Sequence, residues 1–293
     1  MKKLLLVVNP CAGMRKAQKF LSEIISELNR GGFDVSVYIT QDRGDAARMV
    51  AQRAGEVDVV ACCGGDGTFN ETVSGIMQSG AQVPLGYIPT GSTNDFASSL
   101  LLPSNPVEAA RRIVVGTPQP YDVGLFGQRY FSYVASFGAF TKTSYATPQS
   151  LKNAIGHMAY LLEGIQELSQ LRNVHMLLEM GDDVIEDDFL FGAVCNSTSL
   201  GGIVTLDPKR VDMSDGKFEL LLVRAPRDAG EVKECLQALK RKEYDCGMIT
   251  FRSVEQLTVW TDPTMSWTLD GEGADGQRPV EIRNLRHAIR LLK

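Results

Sequence analysis

Two spacings of hydrophobic residues alternate over residues 1–120. Continuous apolar runs, such as KLLLVVN starting at Lys3, are typical of strands that are buried on both faces. Between these runs the apolar residues recur every three to four positions, as in segment 15–32, which ends at two glycines. Strands and helices in strict alternation predict an α/β domain with a parallel sheet.

The spacing changes after Asp122 to short strand-like runs that are separated by turns. Clear helical spacing remains only in segments 156–171 and 229–244. This pattern predicts a second, mostly antiparallel β-sandwich domain. We therefore expect two domains, residues 1–122 together with about 280–293, and residues 123–279.

Composition narrows the class of protein. A formal net charge of −5 over 293 residues disfavours a broad nucleic-acid surface, so no nucleic-acid partner is expected. No apolar run approaches the roughly 18 residues of a membrane span. The six cysteines lack C-x-x-C spacing and lie away from the three histidines, which is typical of reduced thiols in the cytoplasm.

The stretch Gly64–Gly67, GGDG, follows the third predicted strand and precedes a helix. Ligands of open α/β sheets bind outside the carboxyl ends of the strands, and a helix N-terminus attracts phosphate. Glycines let a ligand approach the backbone, and Asp66 could hold Mg²⁺. The alternative is a tight turn with Asp66 as a helix cap. Two similar turns, NPCAG at 9–13 and PTGSTNDFA at 89–97, follow other strands and favour one shared phosphate site.

Together with these three turns, the segments DVG at Asp122, NSTSLGG, MSDGKFEL and LDGEG resemble the diacylglycerol kinase catalytic-domain family, which includes bacterial lipid kinases and sphingosine kinases. The resemblance covers nearly the whole chain. It implies a phosphofructokinase-like α/β domain that binds ATP and a β-sandwich that binds lipid. Two positions depart from the family, Met14 after the first glycine turn and Glu163, and both bear on the choice of lipid.

The resemblance also implies individual roles. ATP contacts are implied for Asn9, Pro10, Cys11, Ala12, Gly13, Thr40, Gly65, Asp66, Gly67, Thr68, Phe69, Asn70, Glu71 and Ser92. The implied catalytic acids are Asp66, Asp95 and Asp122 around Mg²⁺, with Asp270 as a partner and Glu272 as the general base. On an extended strand Asp270 and Glu272 would point to one side; the alternative is a polar hairpin tip.

The turn DMSDG in the second domain resembles the structural metal site of the family. There Asp215 would supply its carboxylate, and Asp212 and Lys217 would supply backbone carbonyls. Oxygen ligands suit a hard cation such as Mg²⁺. The alternative is a plain β-turn with Asp-Gly at its corner.

The resemblance implies transfer of the ATP γ-phosphoryl group to the hydroxyl of a membrane lipid, most directly of diacylglycerol to give phosphatidic acid. The alternatives are an NAD kinase-like enzyme and a nucleotide-binding module without catalysis. We expect a cytoplasmic protein that associates peripherally with the membrane, with ATP and Mg²⁺ as cofactors. An exposed edge strand of the sandwich would also permit a homodimer.

Overall fold

The computed structural model describes residues 1–13, 15–138, 173–200, 204–241, 243–244 and 246–293. The chain forms two compact units, Met1–Val123 with Leu285–Lys293, and Gly124–Asn284. Met14, Glu163 and the helix predicted at 156–171 lie outside the described residues.

The first unit alternates strands and helices as the spacing predicts. Its strands are β1 (Lys2–Val8), β2 (Phe33–Ile39), β3 (Val59–Gly64) and β4 (Leu85–Pro89). Its helices are α1 (Lys16–Arg30), α2 (Asp45–Arg53), α3 (Asp66–Ser79), α4 (Asp95–Ser99) and α5 (Pro106–Val115). A 3-10 turn at Ala54–Glu56 follows α2, and β5 (Pro118–Phe126) leads into the second unit.

The described part of the second unit consists mostly of strands. These are β6 (Arg129–Phe131), β7 (Val134–Gly138), β8 (Val174–Met180), β9 (Asp183–Cys195), β10 (Ser199–Leu200), β11 (Val204–Thr205), β12 (Phe218–Arg224), β13 (Ile249–Val254), β14 (Gln256–Trp260), β15 (Trp267–Leu269), β16 (Glu272–Ala274) and β17 (Val280–Leu292), the last of which ends in the first unit. One 3-10 turn, Pro208–Arg210, and helix α6 (Ala229–Arg241) interrupt them.

Parallel pairing orders the first sheet β2-β1-β3-β4, and the end of β17 adds Leu291 opposite Leu85. The middle and end of β1 are fully buried, with Leu4 and Leu6 packed against α1 and α5, while Leu5 on the opposite face is equally buried. Burial on both faces explains why the strand reads as a continuous apolar run. The register pairs Val8 with Cys63 and Gly64 with Pro89, so β1, β3 and β4 end at one edge.

Antiparallel pairing dominates the second unit. The first half of β9 pairs with β8, and its second half pairs with β7 and β12. The buried ring of Trp267 lies edge-on to Phe126 and Phe137, at 5.0 Å from each ring centroid. Such T-shaped contacts are favourable for aromatic pairs in a core. The predicted fold class, an α/β domain followed by a β domain, is confirmed.

Two predicted strands are broken in the structure. The run from Gly127 divides into β6 and β7, because the N–H groups of residues 132–134 donate to the carboxylate of Asp270. The run from Met265 reverses at Asp270 and Gly271, where φ is +49° and +85°. Leu269 then pairs with Glu272, which defines a two-residue hairpin.

Candidate functional site

The three glycine turns predicted from the sequence meet at the carboxyl edge of the first sheet. The N–H of Asn9 donates to the carbonyl of Cys63 at 2.9 Å, which joins the turn after β1 to the end of β3. The N–H of Thr90 donates to the carbonyl of Gly64 at 2.8 Å, which joins the turns after β3 and β4. All three turns therefore form one continuous backbone surface.

Glycine is required where these turns touch. Gly13 has φ of +50°, and a Cβ there would lie 2.0 Å from the carbonyl oxygen of Thr90. A Cβ on Gly91 would lie 2.6 Å from the Cα of Gly65. Real Cβ atoms do not approach so closely, so any side chain at these positions would push the turns apart. Backbone atoms of a neighbouring turn occupy the space that a side chain would need at Gly13 and Gly91. Glycine at these positions therefore lets the three turns stay in contact.

The remaining predicted nucleotide contacts lie around this surface. Helix α3 begins at Asp66 without a side-chain cap on its N-terminal cap residue, so its first N–H groups point toward the turn. The amide of Asn9 donates to Thr68 Oγ1 at 3.0 Å. The N–H of Thr40 donates to the carbonyl of Val8 at 2.9 Å, beside the first turn.

Ser92 is exposed in the loop between β4 and α4. The conformation of this loop is set by Asn94, which has φ of +54°. Its side chain accepts from the N–H of Gly91 and donates to the carbonyl of Gly91, both at 2.9 Å. Asn94 was not among the predicted site residues, although asparagine is common in left-handed turn positions and is a usable signal.

The carboxylate of Asp66 caps helix α4, and not helix α3, of which Asp66 is the first residue. One carboxylate oxygen accepts from the N–H of Asp95 at 2.9 Å. The other accepts from the N–H of Phe96 at 3.3 Å and from the hydroxyl of Tyr87 at 3.4 Å. Burial raises the pKa of Asp66 above its ordinary value, against the lowering effect of these hydrogen bonds. Asp66 thus holds the start of α4, and with it the backbone of Asp95, next to the glycine turns.

Asp122 is also engaged with backbone. It is 1% exposed, and its Oδ1 accepts from the N–H of His287 at 2.7 Å. His287 has φ of +53°, a left-handed conformation inside β17. His287 was not among the predicted site residues, because a backbone donor leaves no signal in the residue type.

In the second unit, Asp270 binds three consecutive backbone N–H groups. Its oxygens accept from Ser132 at 2.5 Å and from Tyr133 and Val134 at 3.0 Å each, and the residue is 5% exposed. The expectation that Asp270 and Glu272 share one side of an extended strand is wrong, because the chain reverses between them. The hairpin-tip alternative describes the backbone correctly, and Glu272 is half-buried at the start of β16.

The predicted metal turn contains oxygen ligands but no cluster of acids. Among the described residues, no group of three or more His, Cys, Asp or Glu side chains is arranged to hold a metal ion. Asp215 accepts from the N–H of Lys217 at 2.8 Å, and Asp212 accepts from Ser214. A cation here would therefore need backbone carbonyls, which the family resemblance implies for Asp212 and Lys217.

A buried carboxyl lies close to this turn. Glu219 is 1% exposed, and its Oε2 has no hydrogen-bond partner. Burial, followed by the charge of Asp215, raises the pKa of Glu219 to about 8. An unpartnered buried oxygen in electrostatic contact with Asp215 is compatible with a hard cation at this turn, although the carbonyl of Lys217 already accepts from the amide of Asn284 at 3.0 Å.

Comparison with known proteins identifies the family. The diacylglycerol kinase catalytic domain matches residues 3–126. The diacylglycerol kinase of Bacillus subtilis (strain 168) is 30% identical over 294 residues, which cover 100% of this chain and 96% of that protein. The diacylglycerol kinase of Staphylococcus saprophyticus is 30% identical over 290 residues, with 98% and 94% covered.

A crystal structure of a diacylglycerol kinase from Bacillus anthracis str. Sterne superposes with a TM-score of 0.76 at 25% identity, and covers 99% of this chain and 96% of that one. The chain therefore belongs to the diacylglycerol kinase family. The predicted family and the predicted enzyme class, a diacylglycerol kinase-like lipid kinase, are confirmed. No helix within the described residues has the length and apolar character needed to cross a membrane.

Proposed function

We propose that this protein transfers the γ-phosphoryl group of ATP to the hydroxyl of diacylglycerol, giving phosphatidic acid and ADP. The observation that carries the proposal is the convergence of three glycine turns and the uncapped start of α3 at one sheet edge. Backbone N–H groups and the positive end of a helix dipole bind phosphate oxygens. The family membership favours a lipid acceptor over NAD.

The nucleotide is assigned to the first unit. Residues Asn9–Gly13 lie in the first turn and residues Gly65–Asn70 in and directly after the second, and Thr40 and Ser92 lie in the neighbouring loops. We assign the phosphates to the turns because an open backbone without side chains lets them approach the N–H donors closely. Their binding leaves the terminal phosphate at the carboxyl edge, where the reaction takes place.

The acids of the first unit have the donor chemistry for a magnesium ion, although among the described residues no three such side chains are already gathered around one point. Asp66, Asp95 and Asp122 supply only oxygen donors, which Mg²⁺ prefers. When bound, the ion neutralises charge on the phosphates. Asp66 and Asp122 would hold it from positions that backbone hydrogen bonds fix, and Asp95 would contribute from the start of α4, which Asp66 holds.

Glu272 is assigned as the general base. Its carboxylate takes the proton of the lipid hydroxyl as the hydroxyl oxygen bonds to the γ-phosphorus and the bond from that phosphorus to ADP breaks. Asp270 cannot easily take this role, because its oxygens already accept three backbone N–H groups.

For the second unit we further propose a structural cation that is bound by Asp212, Asp215 and Lys217. We also propose that the protein binds peripherally to the membrane from the cytoplasm.

One assay tests the reaction and its alternatives. Purified protein is incubated with ATP, Mg²⁺ and vesicles that contain diacylglycerol, and ADP and phosphatidic acid are measured. We expect ADP release only when diacylglycerol is present, with an equal amount of phosphatidic acid. Release that depends on NAD instead of lipid would support the NAD kinase-like alternative. ATP binding without turnover on any acceptor would identify a silent binding module. Sedimentation with the same vesicles tests peripheral association.

A further inference from the structure

The loop that joins β2 to α2, residues 40–45, is closed by a buried carboxylate. Asp45, the first residue of α2, is 1% exposed. Its Oδ2 accepts from the N–H of Gln41 at 2.8 Å and from the hydroxyl of Tyr38 at 2.9 Å. The start of the loop is fixed separately, because the N–H of Thr40 donates to the carbonyl of Val8. The loop therefore has a defined beginning beside the nucleotide turns and a defined end at α2.

A second carboxylate reaches the same loop from another helix. Glu71 belongs to α3, the helix that the GGDG turn opens. One of its oxygens accepts from the N–H of Gly44 at 2.7 Å, and the other accepts from the N–H of Ala46 at 3.2 Å. Helix α2 has no side-chain cap of its own, so Glu71 caps it from a distance and places negative charge at its positive end.

Among the residues that the structure describes, no side-chain packing fixes the conformation of Gly44 itself. Gly44 has φ of +81°, and a Cβ there would meet nothing within 4 Å. Glycine in open space has many accessible conformations, so the hydrogen bonds select the observed one. The bonds to Glu71 are charge-assisted, which makes them roughly twice as strong as neutral ones.

We propose that Glu71 is a positioning residue, which acts on the nucleotide through the 40–45 loop and Thr40 instead of touching it directly. The inference rests on the proposed ATP site. Both oxygens of Glu71 are directed at backbone N–H groups of α2, so their geometry is explained without a ligand. The role links the glycine turn to a loop that lies about 25 residues earlier in the chain.

The test compares Glu71→Gln with wild type by calorimetric titration of ATP in Mg²⁺ and by amide hydrogen exchange. A glutamine retains one acceptor oxygen and places an NH₂ group against the other backbone donor. We expect residues 41–46 to exchange faster and the Kd for ATP to rise roughly five-fold, as for a loop that is competent about one fifth of the time. Asp45→Asn, which weakens the same loop from its other side, is expected to shift both quantities in the same direction.

The matched control is Asp58→Asn, since Asp58 also accepts a backbone N–H, that of Lys3 at 2.7 Å, but at the amino ends of β1 and β3. Its Kd for ATP should equal that of wild type. An unchanged Kd for ATP in Glu71→Gln would overturn the inference. Weaker ATP binding with unchanged amide hydrogen exchange at residues 41–46 would also overturn it, because Glu71 would then be a direct contact of the nucleotide. If wild-type protein binds no ATP, the proposed function fails first, and faster exchange in Glu71→Gln would then show a purely structural cap.

Discussion

Asp270 provides a direct way to measure what a backbone-binding carboxylate contributes to this fold. Its three N–H donors, on Ser132, Tyr133 and Val134, are consecutive and buried. The substitution Asp270→Asn keeps the shape of the side chain. It also keeps a residue that tolerates the left-handed conformation at φ of +49°. The change therefore removes charge and acceptor capacity without adding backbone strain.

The expected loss follows from the contacts. The carboxamide of asparagine has one acceptor oxygen, so its NH₂ group must face at least one of the three N–H groups. A buried donor left without an acceptor costs about 1–3 kcal/mol, and the remaining bonds lose their charge assistance. We expect Asp270→Asn to lower the free energy of unfolding by about 3 kcal/mol. At about 2–4 °C per kcal/mol, the melting temperature of the second unit should fall by roughly 6–12 °C.

Differential scanning calorimetry of the purified variants measures this loss. The matched control is Asp275→Asn, an exposed acid a few residues further along the same segment, which should melt within about 1 °C of wild type because exposed substitutions have small effects. If Asp270→Asn also melts within about 1 °C of wild type, the three hydrogen bonds contribute no net stability. The view of Asp270 as a structural anchor would then be wrong.

Three further variants test the remaining assignments. Glu272→Gln should lower kcat roughly 100-fold with little change in melting temperature or ATP affinity; loss of ATP affinity alone would exclude a base. Asp66→Asn should lose turnover, and wild-type turnover would refute its place at the active centre. Burial raises the pKa of Asp66 in the folded protein above its ordinary value of 3.8. The free energy of unfolding should therefore fall as the pH rises above 3.8, and Asp66→Asn should remove this pH dependence. Asp215→Ala should abolish any rise in melting temperature on adding Mg²⁺, and a rise that persists would leave a plain turn.

The architecture of the first unit was predictable because its signals are local. A strand covered on both faces must be apolar throughout, as Leu4 to Val8 are, and this distinguishes it from the spacing of α1. The meeting of the glycine turns was also predictable, since parallel strands that alternate with helices end at the same edge. The Cβ clash at Gly13 shows that these glycines serve close backbone contact.

The hairpin at Asp270 was only the alternative interpretation of the sequence, for a physical reason. The buried side chains of Trp267 and Leu269 alternate as in a strand. Glu272 keeps strand spacing from Asp270 only if the chain stays extended through Gly271, and the buried position at Ala274 is out of phase with the two buried side chains before the turn. Asp-Gly between such runs is the local signal for a two-residue turn, and it should have outweighed the alternation. The roles of Asp66 and Glu71 as acceptors of backbone N–H groups could not be predicted from the local sequence. Their partners lie 25 to 30 residues away and are backbone N–H groups, which every residue except proline carries.

These acids lie where they do because of the composition of the turns. A turn made of glycine buries little apolar surface and loses much backbone entropy on folding, so it needs strong local bonds to stay ordered. A carboxylate that accepts backbone N–H groups supplies such bonds, and Asp66, Glu71 and Asp270 all do so. The charge of Asp66 is also one that a magnesium-dependent phosphoryl transfer would use. Lost activity in any one of these variants is therefore ambiguous until its melting temperature is known.

Glu272 differs, because it lies in the β16 ladder opposite Leu269, two residues from Asp270. The pair Asp270→Asn and Glu272→Gln should thus separate an acid that holds the turn from an acid that takes a proton.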